Sequence, residues 1–289
     1  MHDSTLRARN LLARARRIVV LTGAGVSQES GVPTFRGAEG LWRSFRPEEL
    51  ATPEAFRRDP RLVWEWYGWR RRRIAPCRPN AAHEALARLA ATRDGVTLVT
   101  QNVDGLHERA ALAAREAAPG GGRGAPVLAL HGSLFRTRCT RCDYRREEPR
   151  EALPPGEAGS EAPPPEAAPV GDAPGDGAEL PTCPRCGALL RPDVVWFGES
   201  LDPAVLDAAW RAAGEADVCL VVGTSGVVHP AASLAAVTRE GGGSVIEVNP
   251  EPTPLTALAA VSLRASAVAA VPAILRDIVT PEPEPTDAR

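Results

Sequence analysis

Lysine is missing from this sequence: all 34 basic residues among its 289 are arginine. Together with the high alanine content, this reads as codon usage in a GC-rich genome and carries no function by itself. An excess of either charge is also missing. A formal net charge of -2 argues against a nucleic-acid scaffold or a polybasic membrane binder. No run of eighteen apolar residues is present, so no segment reads as a membrane span. The first residues, "MHDSTLRARNLLARARR", lack the apolar middle and cleavage site of a secretory signal. Leu6, Leu11 and Leu12 among those arginines predict an amphipathic helix packed on the core, and the cytoplasm is the expected compartment.

What the chain does have is 44% hydrophobic residues, enough for a large core. Continuous apolar runs at 17–25, 95–105, 216–225 and 243–249 read as buried parallel strands. Helical candidates at 53–74, 80–92 and 203–214 separate them, which predicts an α/β fold with a parallel sheet covered on both faces. Residues 147–180 break this pattern: 34 residues with eight prolines, five glycines, nine acidic residues and no aromatic. Such a stretch cannot bury enough apolar surface to offset ordering, so it reads as a disordered loop. Residues 116–126 read as a second flexible insertion, and the tail from Pro281 as frayed.

Of six cysteines, four form two C-x-x-C pairs, Cys139/Cys142 and Cys183/Cys186. Two such knuckles complete a tetrahedral thiolate site. The forty residues between them exceed a usual ribbon spacing, but the insert accounts for the excess. A redox dithiol and an iron–sulfur cluster are the alternatives; the flanking "RCTRCDY" and "TCPRCGALL" favour zinc. Four thiolates leave no open position, so the ion is structural. Cys219, in an apolar run, reads as a core residue.

"LTGAGVSQESGVPTFRG" (21–37) has Gly23 and Gly25 in dinucleotide-fingerprint spacing, but Gln28 stands where the third glycine belongs. Gly23-Ala24-Gly25 predicts a tight turn whose backbone N–H groups can face a pyrophosphate at a helix N-terminus. Pro33 ends any helix, and Phe35 and Arg36 follow on a loop expected to be mobile. "TQNVDGLH" (100–107) sets Gln101, Asn102 and Asp104 at a strand's carboxyl end, where ligands bind in such sheets. Turn chemistry alone would also explain Asn and Asp there. His131 precedes Gly132, which is expected to leave the ring accessible, while His83 and His107 fit plain helix positions.

Taken together, G-A-G-V-S-x-x-S-G-V-P-T-F-R-G, T-Q-N-V-D, H-G-S, the paired C-x-x-C and "GTSGVVHPA" (223–231) resemble the sirtuins, NAD-dependent protein lysine deacylases, over roughly residues 15–275. The resemblance implies a Rossmann-like domain in three parts, 1–52, 81–134 and 194–280. It also implies a helical acyl-recognition part at 53–80, a zinc-ribbon module at 135–193 and a flexible tail at 281–289. The cofactors implied are NAD, as co-substrate, and one structural zinc held by Cys139, Cys142, Cys183 and Cys186. The partners implied are acyl-lysine proteins, and a monomer is expected.

In the implied reaction the acyl oxygen attacks the ribose carbon as nicotinamide leaves, and His131 then activates a ribose hydroxyl as general base. Asn102 would hold the ribose and orient the attack, Gln101 would contact a ribose hydroxyl, and Asp104 the nicotinamide carboxamide. Gly23, Ala24, Gly25, Gly223, Thr224 and Ser225 would surround the phosphates. Arg36 would lie by the nicotinamide ribose, and Phe35 would cover the reacting face. Asn249 would meet the adenine ribose. Ala267 belongs to "LRASAV" (263–268), which lacks the glycine-led turn the family often places under the adenine.

"VVWFGE" resembles the loop that pairs with substrate backbone, through Val195, Gly198 and Glu199, with Trp196 and Phe197 walling the acyl channel and Val227 on the far side. Tyr67 and Arg70, at i and i+3, match the Tyr-x-x-Arg of the subgroup acting on succinyl, malonyl or glutaryl lysine, with Trp66 in place of a Phe. The expected activity is therefore desuccinylation or demalonylation. An ordinary deacetylase, a mono-ADP-ribosyltransferase and a non-catalytic ADP-ribose module are the alternatives. A conventional dehydrogenase is disfavoured by the failed fingerprint.

Overall fold

The computed structural model describes residues 2–33, 47–117, 126–148, 180–276 and 278. Its helices are α1 (His2–Arg14), α2 (Pro47–Leu50), α3 (Pro53–Arg58), α4 (Pro60–Ile74), α5 (Ala81–Thr92), α6 (Leu106–Ala117), α7 (Pro203–Gly214), α8 (Ser233–Glu240) and α9 (Ala267–Leu275). Its strands are β1 (Ile18–Thr22), β2 (Val96–Thr100), β3 (Leu128–Ala129), β4 (Gly132–Cys139), β5 (Arg145–Glu147), β6 (Leu190–Val194), β7 (Val218–Val222), β8 (Ser244–Val248) and β9 (Val261–Leu263). Among the described residues no helix is long and apolar enough to cross a membrane.

Six strands form a parallel sheet in the order β3-β2-β1-β7-β8-β9, with Leu21 of β1 level with Val99 on one side and Val221 on the other. These strands are mostly apolar because both faces are covered. Ile18 and Val20 face a cluster with Leu12 of α1, Leu86 of α5 and Val271 of α9. Val19 and Leu21 face the opposite cluster, with Ala209 of α7 and Leu234 of α8. Each such burial stabilises the fold by about 1.5–3 kcal/mol. The strand order reverses between β1 and β7, which opens a crevice beyond their carboxyl ends.

Two expectations change in detail. The predicted helix 53–74 is two helices, because Asp59 (φ -145°, ψ 85°) leaves the helical region before Pro60. Asp59 then caps α4 by accepting the Leu62 N–H at 2.9 Å. In α1 the buried face is Ala8, Leu12 and Ala15, whereas Leu6 is half exposed. Two residues of helix turn Leu6 to the side opposite Ala8.

A second, three-stranded antiparallel sheet, β5-β4-β6, carries the cysteine knuckles. Glu147 at the start of the predicted loop is still in β5, and Glu148 accepts the Thr137 hydroxyl at 3.0 Å. Residues 149–179 and 118–125, the tail from Pro281, and Phe35 and Arg36 lie outside the described residues. A third apolar cluster, with Trp66, Tyr67, Trp69 and Leu134, joins α3 and α4 to this small sheet.

Candidate functional site

The crevice is a cavity of about 880 Å3, within the range of cofactor sites. Its floor is made by two glycine turns pressed together. The Gly25 N–H donates to Gly223 O at 2.8 Å. A Cβ on Gly23 would stand 2.8 Å from Gly223 O and from Thr224 Cα. Gly223 has φ +60°, and a Cβ there would meet Val26 N at 2.5 Å. These glycines therefore let two backbones touch. Among the described residues no α-helix opens directly after Gly25. Short 3-10 turns at Ala24–Val26 and Gln28–Ser30 end at Gly31, φ 86°, so the expected helix N-terminus is replaced by turn N–H groups.

Gln101, Asn102 and His131 reach this cavity from the ends of β2 and the start of β4. Gln101 Nε2 donates to Thr224 Oγ1 at 3.0 Å and ties the two turns together. Asn102 Nδ2 donates to Gly23 O and to Ser27 Oγ, both at 3.1 Å. His131 Nδ1 lies 2.8 Å from Gln101 O. A carbonyl only accepts, so Nδ1 carries the proton and Nε2 holds the free lone pair. Burial lowers the His131 pKa below the ordinary imidazole value, partly offset by the Gln101 carbonyl. Gly132 (φ +80°) has another reason than ring access: a Cβ there would collide with Asp193 O of β6.

Asp104 stands behind this wall. Its carboxylate accepts the Ser27 hydroxyl at 2.8 Å and the Leu106 N–H at 2.9 Å. Ser27 completes the layer with His83 and His107, which the sequence placed at plain helix positions and which do lie on α5 and α6. His83 Nδ1 lies 3.3 Å from Asn80 N and 3.0 Å from Asn80 Oδ1, and its Nε2 lies 3.3 Å from Ser27 Oγ. Thr22 Oγ1 gives its proton to Thr100 Oγ1 and accepts from His107 Nε2 at 2.9 Å. The two imidazole rings are 4.6 Å apart. Burial lowers the His83 pKa to about 4 and pushes that of His107 well down, with His83 adding to the latter.

At the other end, Tyr67 and Arg70 of α4 line the same cavity, both buried. The Arg70 guanidinium carbon is 4.9 Å from the Trp66 ring centroid and 5.7 Å from that of Tyr67. Trp196 Nε1 donates to the Tyr67 hydroxyl at 2.9 Å. Val195 and Gly198 (φ 84°) shape the 194–199 loop, with Val195 N–H on His131 O at 2.9 Å. The Glu199 carboxylate ties the loop to the small sheet, accepting from Arg191 of β6 at 2.5 and 3.0 Å, from Arg138 of β4 at 3.1 Å and from the Trp196 N–H at 2.9 Å. Phe197 and Val227 are large apolar residues left 44% and 49% exposed. Toward the far end, Asn249 Nδ2 donates to Thr224 O at 2.8 Å and so fixes the turn that carries Ser225. Ala267 opens α9 behind its cap, Ser266, and both line the cavity.

The Sir2 family model matches residues 23–230, a span that includes both glycine turns, Gln101, Asn102, His131 and the four cysteines. The chain belongs to the Sir2 family. A relative named NAD-dependent protein deacylase, from Thermococcus kodakarensis, is 49% identical over 94% of this chain and 94% of its own. Another of that name, from Thermus thermophilus, is 44% identical over 96% and 94%. A solved Sir2 homologue in complex with NAD superposes with a TM-score of 0.74 at 44% identity, covering 95% of each chain. A Sir2 homologue variant in complex with ADP-ribose gives 0.76 at 45% identity, covering 93% of this chain and 94% of that one.

As in a Sir2 fold, the small sheet brings four thiols together. Cys139 Sγ is 3.5 Å from Cys186 Sγ, Cys142 Sγ is 3.6 Å from Cys183 Sγ, and Cys186 and Cys142 are 3.7 Å apart. All four sulfurs lie within 4.8 Å of one another. Zinc–thiolate bonds of about 2.3 Å imply sulfur–sulfur edges of roughly 3.8 Å, so the set fits one tetrahedral ion. Glu247, buried in β8 two residues before Asn249, was not among the expected site residues. It accepts from Thr253, Thr256, Ser262 and Arg264 at 2.5, 2.8, 2.7 and 3.1 Å.

Proposed function

We propose that the protein is an NAD-dependent protein-lysine deacylase whose preferred substrates carry acidic acyl groups, succinyl or malonyl. The products are the free lysine, nicotinamide and O-acyl-ADP-ribose. The relatives named NAD-dependent protein deacylases support the reaction class. One observation supports the acyl class: Arg70 and Tyr67 line the same cavity as His131 and Asn102. A buried guanidinium beside a phenol suits a chain that ends in a carboxylate.

NAD supplies a ribose carbon whose leaving group is nicotinamide. This chain's residues do the rest. The Ala24, Thr224 and Ser225 N–H groups of the two turns take the phosphates, those of Gly23, Gly25 and Gly223 being donated to backbone carbonyls. Gln101 and Asn102 hold the nicotinamide ribose, and Asp104 and Ser27 keep Asn102 in place. His131 Nε2 takes the ribose hydroxyl proton. Phe197 and Val227 flank the entry where an extended peptide adds as a strand. Asn249 and Ala267 serve the adenosine end.

The test compares succinyl-, malonyl- and acetyl-lysine on one peptide, with Arg70→Met alongside. Acidic acyl groups are expected to react much faster. Arg70→Met is expected to cost them about 2–5 kcal/mol of transition-state binding. Equal rates on acidic and acetyl groups, indifferent to Arg70→Met, would remove the acyl reading and leave an ordinary deacetylase.

A further inference from the structure

Tyr67 is 1% exposed, yet its hydroxyl has a proton left to give. An indole nitrogen can only donate, so in the 2.9 Å bond from Trp196 Nε1 the phenol is the acceptor and its own proton is not used. Among the described residues that bond is the hydrogen bond Tyr67 makes. A buried O–H without an acceptor costs free energy, and Tyr67 borders the cavity. The missing acceptor therefore belongs to whatever occupies the cavity.

The donor side of the pair is braced. The Arg191 guanidinium carbon lies 3.2 Å from the Trp196 ring centroid, and Arg191 is held in turn by Glu199. Glu199 also takes the Trp196 backbone N–H. A cation on the indole face draws electron density from the ring, and the hydrogen-bonded chain polarises toward the phenol. Phe56 stacks on the indole at 5.4 Å between centroids, so the ring is held on more than one side.

We propose that Trp196 is a positioning residue that sets the acyl class. By donating to Tyr67 Oη, it orients the phenol so that its own proton is presented to the cavity. The pocket then takes acyl chains that end in a carboxylate. It turns away the isosteric primary amide, whose NH2 would face the donating phenol and the Arg70 guanidinium. This inference rests on the acidic-acyl reading above and names the group that enforces it.

The experiment measures steady-state constants on one peptide bearing succinyl-lysine, the primary amide of the same chain, or acetyl-lysine. Wild type, Trp196→Phe, Tyr67→Phe and the double variant are compared. Trp196→Phe keeps a ring in the wall and removes the N–H. It is expected to lower the succinyl-to-amide ratio of kcat/KM about tenfold, in KM more than in kcat, while the double variant matches Tyr67→Phe in that ratio. A Trp196 that serves only the fold would depress all three substrates together and leave the ratio unchanged, which overturns the proposal. A wild type that prefers acetyl- to succinyl-lysine overturns the acidic-acyl reading as well, so the two failures are told apart. A second readout needs only the wild-type protein. The indole 15N–1H resonance of Trp196 is expected to shift with succinyl-peptide and to stay put with acetyl-peptide; equal shifts, or none, overturn the proposal.

Discussion

His131 Nδ1 sits 2.8 Å from the carbonyl oxygen of Gln101, and this one contact decides which ring nitrogen can act as a base. On the proposed function the neutral ring is the active form, and burial keeps its pKa below the usual 6.5 or so. The rate of the chemical step should therefore be flat above pH 7 and fall on the acid side, with a midpoint below about 6.5. His131→Ala should lower kcat by about 10²–10⁴-fold while ADP-ribose still binds. Single-turnover rates from pH 5 to 8, with ADP-ribose titration of the variant, check both. A midpoint above 7 would count against His131 as the titrating group.

Gly23→Ala and Gly223→Ala test the paired turns. The first would set a Cβ 2.8 Å from backbone and side-chain atoms of the facing turn; the second adds a strained φ of +60°. Overpacking of this kind costs about 1–3 kcal/mol, and the strain at Gly223 makes it the worse of the two. Both variants should melt earlier and show a raised KM for NAD, Gly223→Ala more so. An unchanged KM in a folded variant would mean that the turns do not meet the cofactor.

How legible this site was depends on how far apart its partners lie in the chain. Gln101, Asn102 and Gly23 could be read because each ends a continuous apolar run, and strand ends in a parallel sheet converge on one crevice. The break at Asp59 was also written in the sequence, as an Asp-Pro pair, but a long apolar and arginine-rich stretch masked it. Glu247 was not legible: inside "VIEVN" it looks like an anomaly, and its four partners sit 6 to 17 residues away. Ser27 and His83, 56 residues apart, meet only because the first turn folds under α5. Strands β3 and β9, two and three residues long, are too short to leave a pattern.

Strand β4 runs from Gly132, next to His131, to Cys139 at the thiolate cluster. Removing the metal should therefore disturb the base as well as the small sheet. One zinc per chain is expected by elemental analysis. Chelation, or Cys139→Ser, should lower the melting temperature and the deacylation rate together, and added zinc should restore both only in the chelated wild type. Full activity after complete metal loss would separate the two ends of β4.

The buried pair His83 and His107 predicts how the fold responds to acid. In the unfolded chain both take up protons near pH 6.5, whereas in the folded protein burial holds His83 neutral down to about 4 and pushes the His107 pKa well down too. Stability is therefore fully present above pH 6.5 and is lost as pH falls toward 4, because there the unfolded state binds more protons. His83 alone accounts for about 3 kcal/mol over that window, and His107 acts in the same direction. Urea midpoints at pH 7.5, 6 and 5 should fall steadily for the wild type. His83→Gln, which cannot titrate, should start lower and fall less steeply, since one of the two proton-linked terms is gone. Parallel slopes for the two proteins would assign the acid sensitivity elsewhere.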